Sequence, residues 1–267
     1  MTLIGRIQLV KTFGVPQMTY MAAVTYIPEL YINQINDIIF NFIWLDKPPK
    51  IKRKTIIGDT SDGGLKMIDF KIMNLSLKAA WIKRFTDAER QTDDWQIIPL
   101  NTMSKFGQLL VFESNIDTNT INMENVEPFY QEILVAWSKL QIEKKITTKE
   151  DILNEIIWNN KHMLINGKAM FYKEWFNKGI KYIKYSIHEN GHFLTTDEIN
   201  NKYRIAVNIM TYNSIKASIP NKWRRCLKNG QIEDTLQNRN IKTNILKPKQ
   251  IKCKNAHKIL KKQEFPQ

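Results

Sequence analysis

Apolar residues in the first third of the chain recur every three or four positions, the spacing that places them on one face of an α-helix. The clearest run is Ile32, Ile35, Ile39 and Phe42, with Ile38 and Ile43 widening the stripe. Pro48 and Pro49 cannot continue that helix, so we expect it to end near Trp44. This pattern predicts a mainly α fold.

An earlier helix is predicted by Leu3, Ile7 and Val10, which share one face and leave Arg6 and Lys11 off it. Pro16 comes too late to belong to the interior of that helix. Because proline is tolerated in the first turn of a helix, we expect Pro16 at the first position of a second one.

The segment after residue 55 predicts a turn and then another helix. Gly63-Gly64 favours a tight turn, across which Ile56-Ile57 is expected to pair with Leu65 and Met67 as a short β-hairpin. Asp69 is a candidate N-cap for the helix that follows. Its inner face is predicted to carry Ile72, Leu75, Ala79 and Ile82, and its outer side and C-terminal end Lys78, Lys83 and Arg84.

Composition divides the chain into four segments. Residues 1–85 are predicted to form one helical lobe with the short hairpin, and residues 128–228 a second helical lobe. Residues 86–127 are acidic and are interpreted as a linker or insertion. Residues 229–267 are basic and poor in apolar residues, so we predict a disordered tail.

Two capping boxes mark helix starts in the second lobe. Thr148 is followed three residues later by Asp151, and Thr195 by Glu198. In such a pair each side chain bonds the backbone N–H of the other residue, which satisfies two donors that a helix start leaves free.

The net charge of +14 is unevenly distributed along the chain. Residues 47–84 carry 10 Lys/Arg against 3 Asp/Glu (net +7), residues 85–130 carry 2 against 8 (net −6), and residues 200–267 carry 16 against 3 (net +13). Two basic blocks around an acidic one predict a polyanionic partner, most often nucleic acid. An anionic membrane surface is the weaker alternative, since the basic residues are not expected to line one face of an amphipathic helix.

Other features bear on the compartment. The sequence contains no run of about 18 apolar residues, so it predicts no membrane span. It also has no basic segment leading into an apolar signal sequence. Two cysteines in 267 residues argue against a disulfide scaffold. We therefore expect an intracellular protein, nuclear or cytoplasmic, that is not secreted and does not enter a membrane.

Motifs between residues 42 and 70 resemble a known family. They are Phe42-Ile43-Trp44, Pro48-Pro49-Lys50-Ile51-Lys52-Arg53-Lys54 and Gly63-Gly64-Leu65-Lys66-Met67-Ile68-Asp69-Phe70, with Gly5-Arg6-Ile7 and Pro16 upstream. Their order resembles the thumb, just after the polymerase palm, in reverse transcriptases of non-LTR retrotransposons of the long interspersed element type. Leu194-Thr195-Thr196 through Ile219-Pro220-Asn221-Lys222-Trp223 resembles the region beyond the thumb. The resemblance reaches about residue 228 and is patchy from 86 to 150.

The resemblance implies that residues 1–85 form a thumb-like lobe that grips a template–primer duplex. The chain would be a nucleic-acid-binding fragment of a retrotransposon polyprotein. Its partners would be the backbone of RNA or of an RNA–DNA hybrid, and the palm domain of the full-length polyprotein if present. The chain starts after the point where the family's catalytic motifs end, so we expect no enzymatic activity, no catalytic residues, no metal and no cofactor. A non-functional remnant of a decayed element and a captured protein-interaction scaffold are the alternatives.

The predicted nucleic-acid-binding residues are cations in the matching motifs, together with one tryptophan. They are Arg6, Lys11, Lys47, Lys50, Lys52, Arg53, Lys54, Lys66, Lys222, Trp223, Arg224 and Arg225. Cations on the proline-stiffened loop can neutralise phosphates and release counterions, although an ordinary solvated loop would have the same composition. Lys222 to Arg225 can stack a base on the tryptophan, or the tryptophan can dock on the second lobe with the arginines in solvent.

Three further motifs are interpreted without metal chemistry. His188-Glu189-Asn190-Gly191-His192 matches the zinc-peptidase pattern HExxH, but Asn190-Gly191 disfavours the helix that this chemistry needs and predicts a turn. Asp93-Asp94 lies in a polar stretch and is interpreted as a solvated turn rather than a polymerase metal site. Cys226, Cys253 and His257 do not supply the four ligands of a structural zinc site.

Overall fold

The computed structural model describes residues 1–87, 93–141, 146, 148–229 and 247–265. Its α-helices are α1 (Leu3–Leu9), α2 (Val15–Val24), α3 (Glu29–Trp44), α4 (Arg53–Ile57), α5 (Phe70–Thr86), α6 (Ile97–Met103), α7 (Pro128–Leu140), α8 (Lys149–Leu153), α9 (Lys173–Asn177), α10 (Thr196–Tyr203), α11 (Ile209–Ser218), α12 (Asn221–Asn229) and α13 (Cys253–Glu264). β1 (Leu164–Ile165) pairs antiparallel with β2 (Lys168–Ala169), with Leu164 opposite Ala169. The predicted mainly α fold with a short hairpin is confirmed. No helix among the described residues is both long enough and apolar enough to span a membrane.

The chain forms two compact units, each built from discontinuous segments. Unit 1 comprises Met1–Arg84, Glu127–Leu140 and Lys249–Gln267, and unit 2 comprises Phe85–Val126 and Gln141–Pro248. These boundaries differ from the predicted ones. The acidic segment interpreted as a linker belongs to unit 2, and α7, predicted for the second lobe, belongs to unit 1.

Part of the predicted disordered tail is helical. α13 belongs to unit 1, and Ile251, Ala256 and Leu260 are buried there. The prediction was wrong for this stretch because average composition hides a few apolar residues at helical spacing, which are enough to dock one face of a helix. Residues 230–246 of the predicted tail lie outside the described residues.

α1 passes into α2 through a π-helical turn, Val10–Gly14. At its end the Val15 N–H donates to the Val10 carbonyl, one residue further back than in an α-helix. Pro16 is the second residue of α2, in its first turn and one position later than predicted. A proline ring clashes with the carbonyl four residues before it, so a wider turn directly upstream relieves that clash.

α3 ends at Trp44 as predicted, where Leu45 adopts a left-handed conformation with φ 55°. Its buried face differs from the predicted stripe, since Phe42 is 39% exposed and Ile38 is 68% exposed. The buried residues of the helix are Ile32, Asn36, Ile39, Phe40 and Ile43. The face of the helix that carries Asn36 is the one packed toward Phe70, since the Asn36 side-chain oxygen accepts a hydrogen bond from the Phe70 N–H at 2.9 Å.

The hairpin predicted around residues 56–67 was misplaced, since Ile56 and Ile57 end α4. The chain still returns beside this helix, because the N–H groups of Leu65 and Met67 both donate to the Ile56 carbonyl. The predicted glycine turn is confirmed, with Gly63 at φ 74°. Gly64 is needed for close approach, since an added Cβ would lie 2.2 Å from the carbonyl carbon of Gly58.

α5 begins as predicted, with the Asp69 side chain accepting from the Ile72 N–H at 3.1 Å. Lys78, predicted on its outer side, is completely buried. Its Nζ donates to the carbonyls of Ala22 (2.6 Å) and Thr25 (2.7 Å), which α2 leaves without helical partners. Glu132 of α7 forms an ion pair with it at 3.1 Å. Burial lowers the pKa of Lys78, and the Glu132 carboxylate opposes that shift.

Unit 2 has an aromatic core with neutral polar anchors. The Trp158 indole N–H donates to the Ile180 carbonyl at 2.7 Å, and the Tyr212 hydroxyl donates to the Leu194 carbonyl at 2.6 Å. Both predicted capping boxes are present, starting α8 at Thr148 and α10 at Thr195. Asp93 and Asp94 are exposed at a 3-10 turn, in agreement with the interpretation as a solvated turn.

Candidate nucleic-acid interface

A groove of about 1240 Å³ lies on unit 1 between the segment 54–68 and α13. Six lysines line it, and we call it the lysine groove. They are Lys54, Lys66, Lys254, Lys258, Lys261 and Lys262. Asp59, Asp62 and His257 also line the groove, so the cations outnumber the carboxylates there by six to two.

The wall formed by α13 follows from the periodicity of that helix. Ala256 and Leu260 are four residues apart and are buried against unit 1. Lys254, Lys258 and Lys262 are also spaced by four and are exposed on another face. Like charges at this spacing repel one another, so the arrangement costs helix stability unless an anion lies against it.

Asp59 anchors α13 to the opposite wall. The Lys261 ammonium donates to the Asp59 carboxylate at 2.8 Å, and this hydrogen bond and charge lower the pKa of Asp59. His257 also lines the groove and is half-buried. Its pKa is lowered mainly by burial and further by the nearby Lys261 charge. The groove therefore combines the Lys261–Asp59 ion pair with exposed lysines, among them Lys66, Lys254 and Lys258.

The structure distributes the predicted cations of unit 1 among different environments. Lys54 and Lys66 lie in the lysine groove, whereas Lys47, Lys50 and Lys52 are exposed on the loop before α4. Lys11 is half-buried at the π-helical turn and does not line the groove.

Two predicted arginines hold the fold of unit 1. Arg6 donates to the Ile43 carbonyl at 2.7 Å and so satisfies an acceptor in the last turn of α3. The Arg53 guanidinium lies 4.1 Å from the centroid of the Phe40 ring and 3.7 Å from an Asp37 carboxylate oxygen. Both groups are engaged within unit 1, which the sequence pattern did not indicate.

Trp223 in unit 2 lies in the core rather than on the surface. It is 8% exposed and its ring centroid is 5.7 Å from that of His162. Cys226 and Leu227 are buried on the same side of α12. The structure thus shows the docked tryptophan of the second alternative, and this ring is not available for stacking on a base.

The outer side of α12 forms a second concave surface, of about 560 Å³, which we call the arginine pocket. Its cations are Lys216 from α11 and Arg224, Arg225 and Lys228 from α12. Phe193 and Asn213 also line it, whereas Lys222 is exposed outside it. Basic residues therefore line helical faces on both α12 and α13, which corrects the expectation drawn from the sequence.

The HExxH segment is the predicted turn, and it packs on α12. The Gly191 N–H donates to the His188 carbonyl at 2.9 Å, with Gly191 at φ 83°. An added Cβ at Gly191 would lie 2.0 Å from the Leu227 carbonyl oxygen. His188 is 3.1 Å from Glu198, whose pKa is lowered mainly by the Thr195 backbone and hydroxyl and further by His188.

Sequence reasoning missed most of the groove and half of the pocket. The missed cations are Lys216, Lys228, Lys254, Lys258, Lys261 and Lys262. A usable signal was present in α13, because its lysines and its buried residues both repeat every four positions. Among the described residues, no group of three or more His, Cys, Asp or Glu side chains could hold a metal ion.

The chain matches no protein-family model.

Proposed function

We propose that this protein binds nucleic acid through the backbone phosphates, with the lysine groove of unit 1 as the contact surface. The observation that carries the proposal is the set of six lysines from two distant chain segments that line one groove. Each phosphate that a lysine neutralises releases condensed counterions, which supplies binding free energy at low salt. Lysine is a point charge rather than a directional fork, so the groove favours backbone contact without sequence preference.

The resemblance of residues 42–70 to a reverse transcriptase thumb supports a particular ligand. In that family the corresponding segment grips the template–primer duplex, and Lys54 and Lys66 of this segment lie in the groove. We therefore propose an RNA–DNA hybrid or RNA duplex as the ligand. The part played by α13 as the second wall is not implied by the resemblance and rests on the structure alone.

An exposed apolar surface supports a protein partner for unit 1. Large apolar side chains on α1 to α3 and the π-helical turn face solvent, among them Ile4, Phe13, Tyr20, Leu30 and Ile38. Contiguous apolar patches mark protein-interaction sites, and we propose that these side chains form part of one. From the resemblance, we propose the palm domain of a polymerase as this partner.

A membrane is the weaker candidate for the basic surface. A helix that lies on a bilayer inserts its apolar face between lipid headgroups. The apolar residues of α13, Ala256 and Leu260, are buried in unit 1 and cannot insert without undocking the helix. Nucleic acid needs no such rearrangement.

The test is the salt dependence of binding to a short RNA–DNA hybrid, measured by fluorescence anisotropy. The groove variant is K66Q/K254Q/K258Q, and the matched control K168Q/K173Q/K178Q removes the same charge from exposed positions of unit 2. In the groove variant we expect the slope of log K against log salt to fall by about 0.9 for each phosphate that is no longer neutralised. The slope of the control should equal that of the parent.

Equal slopes in the groove variant and the control would contradict the proposal, as would binding that does not depend on salt. Anionic lipid vesicles provide a second arm. Tight binding to vesicles without binding to the hybrid would favour the membrane surface instead.

A further inference from the structure

The arginine pocket of unit 2 concentrates positive charge for which the described residues supply no ion-pair partner. The sequence of α12, Asn221–Asn229, contains four Lys/Arg and no Asp or Glu. Within the described part of the chain, Lys216, Arg224, Arg225 and Lys228 form no ion pair. Cations three and four residues apart on a helix repel one another and destabilise it, so an anion bound in the pocket would reduce this repulsion.

The pocket is held by well-defined contacts. Tyr212 of α11 is buried and its hydroxyl donates to the Leu194 carbonyl, next to Phe193. Gly191 lets the neighbouring turn approach the last part of α12 more closely than any side chain would permit. The elements that line the pocket are therefore fixed relative to one another before any ligand arrives, which lowers the entropic cost of binding.

The individual side chains are available for a ligand. The Lys216 ammonium lies 4.4 Å from the centroid of the Tyr212 ring, and Arg224 donates to the Asn221 side chain. The Arg224 Nε–H is buried and has no acceptor among the described residues. Arg225 and Lys228 are exposed. An oxyanion would give an acceptor to the Arg224 Nε–H and would pair with the exposed cations of Arg225 and Lys228.

Phe193 and Asn213 add an apolar ring and an amide to the lining of the pocket. Phe193 is half-buried at one side, where its ring offers an apolar wall to a base or sugar. Asn213 is exposed at the rim and carries an amide that both donates and accepts, as the edge of a base does. A volume of about 560 Å³ suits a small ligand group rather than a duplex.

We propose that the arginine pocket is a separate site for one nucleotide of an unpaired nucleic-acid strand. The guanidinium groups and lysines bind the phosphate, because the fork of an arginine matches phosphate oxygens bidentately. The base lies against Phe193, with stacking that does not depend on its identity. This site goes beyond the proposed function, since none of its residues lines the lysine groove.

The test uses a short oligouridylate, with binding followed by fluorescence anisotropy. The pocket variant K216Q/R225Q/K228Q is compared with K168Q/K173Q/K178Q, which removes the same charge from the same unit. We expect the pocket variant to bind the oligouridylate at least about tenfold more weakly than the control does at moderate salt, while both keep the parent's circular dichroism spectrum. Equal affinities would overturn the proposal.

The base contact is tested with F193L, which keeps an apolar side chain but removes the aromatic ring. We expect F193L to weaken oligouridylate binding by about threefold to tenfold and to leave the binding of inorganic tripolyphosphate unchanged. Loss of oligouridylate and tripolyphosphate binding in equal measure, or no change in either, would show that the pocket does not hold a base and would overturn the proposal.

The groove variant K66Q/K254Q/K258Q separates the two proposals. We expect it to weaken binding of the RNA–DNA hybrid much more than binding of the oligouridylate, and the pocket variant to do the reverse. Failure of the lysine groove would thus appear as unchanged hybrid binding, and failure of the arginine pocket as unchanged single-strand binding. If the groove variant alone abolished oligouridylate binding, the pocket would not be a site.

Discussion

The two units differ both in their interiors and in the way they present cations. Unit 1 buries Lys78 beside Glu132 of another helix, whereas unit 2 buries Glu155 among the amides of Asn115 and Asn160. In the aromatic core of unit 2, Trp158 and Tyr212 each donate a neutral hydrogen bond to a backbone carbonyl. Outside, unit 1 gathers lysines from two distant segments, one of them α13, which an internal ion pair from Asp59 anchors. Unit 2 presents arginines from a single stretch around α12, with no acidic residue on that helix.

The comparison indicates that a surface built from distant segments needs an anchor that a local one does not. α13 must be held against a part of the chain about 200 residues earlier, and Asp59 supplies a charge for that purpose inside the groove. The cations of α12 are placed by the same helix that buries Trp223 and Leu227. We therefore expect changes in the interior to have the largest effects, and changes in surface anchors smaller ones.

The largest effect is expected for Lys78→Met, which leaves the Glu132 carboxylate without its cation and the Ala22 and Thr25 carbonyls without this donor. Removing one member of a buried pair costs about 3–5 kcal/mol. The free energy of unfolding from urea titration measures this loss. In the double variant K78M/E132Q the unpaired charge is gone, so part of the stability should return. A double variant as unstable as the sum of the single changes would contradict a direct interaction.

The close approach of Gly191 to α12 is expected to be the next most sensitive feature. In Gly191→Ala the new Cβ meets the Leu227 carbonyl oxygen at a positive φ, so we expect a loss of about 2–4 kcal/mol. Gly179→Ala is the control, because that glycine has a positive φ of 91° but nothing within 4 Å of the added Cβ. Thermal unfolding should show a larger shift for Gly191→Ala. Equal shifts would mean that the close contact is unimportant.

Removing the Tyr212 hydroxyl compares the stability contributed by one hydrogen bond in unit 2 with that of the buried Lys78 in unit 1. Tyr212→Phe keeps the ring and leaves the Leu194 carbonyl without this donor, which should cost about 1–2 kcal/mol. Urea unfolding measures the loss beside that of Lys78→Met. A loss as large as that of Lys78→Met would show that this single neutral hydrogen bond stabilises unit 2 as strongly as the buried Lys78 contacts stabilise unit 1.

The anchor of α13 should depend on pH. Because the pKa of Asp59 is lowered in the folded protein from its usual 3.8, its stabilising effect is present above that value and disappears as the pH falls through the lower, folded pKa. The difference in amide-hydrogen protection of α13 between the parent and Asp59→Asn should therefore be present near neutral pH and shrink in strong acid. A difference that persists at low pH would exclude the Asp59 charge as its origin.

The smallest effect on stability is expected for Arg53, whose side chain packs on the protein, compared with the exposed Lys52. Arg53→Gln removes the contact with the Phe40 ring and the pairing with Asp37, which should lower the free energy of unfolding by about 0.5–1 kcal/mol. Lys52→Gln, at an exposed neighbouring position, should leave stability within error of the parent. Equal losses would show that Arg53 contributes no more to the fold than a solvated side chain.

Local chemistry was readable from the sequence where it depends on near neighbours. The end of α3 before Pro48, the cap at Asp69, the turn at Gly63 and the capping boxes at Thr148 and Thr195 were all predicted correctly. Each depends on residues within about four positions, and the backbone groups of a helix end or turn have few other partners. The acidic turn at Asp93 and the turn at Gly191 belong to the same class.

Predictions failed where a residue's environment is made by another part of the chain. Phe42 was assigned to the core on the period of its helix, but Asn36 turns α3 toward Phe70. Lys78 was assigned to the surface by its charge, but the end of α2 and Glu132 surround it. The contacts of Arg6 with the Ile43 carbonyl and of Arg53 with the Phe40 ring likewise come from distant segments, and their part in ligand binding stays a prediction.

The sequence by itself determined the helical character of the chain, its helix ends and the excess of positive charge. Only the tertiary structure decided which cations share a surface, because the lysine groove joins residues 54–68 to α13. It also decided that Trp223 is buried and that Phe193 lies beside the arginines. The physical reason is that periodicity and capping are fixed by neighbours along the chain, whereas burial and charge clustering depend on contacts between segments that are remote in sequence.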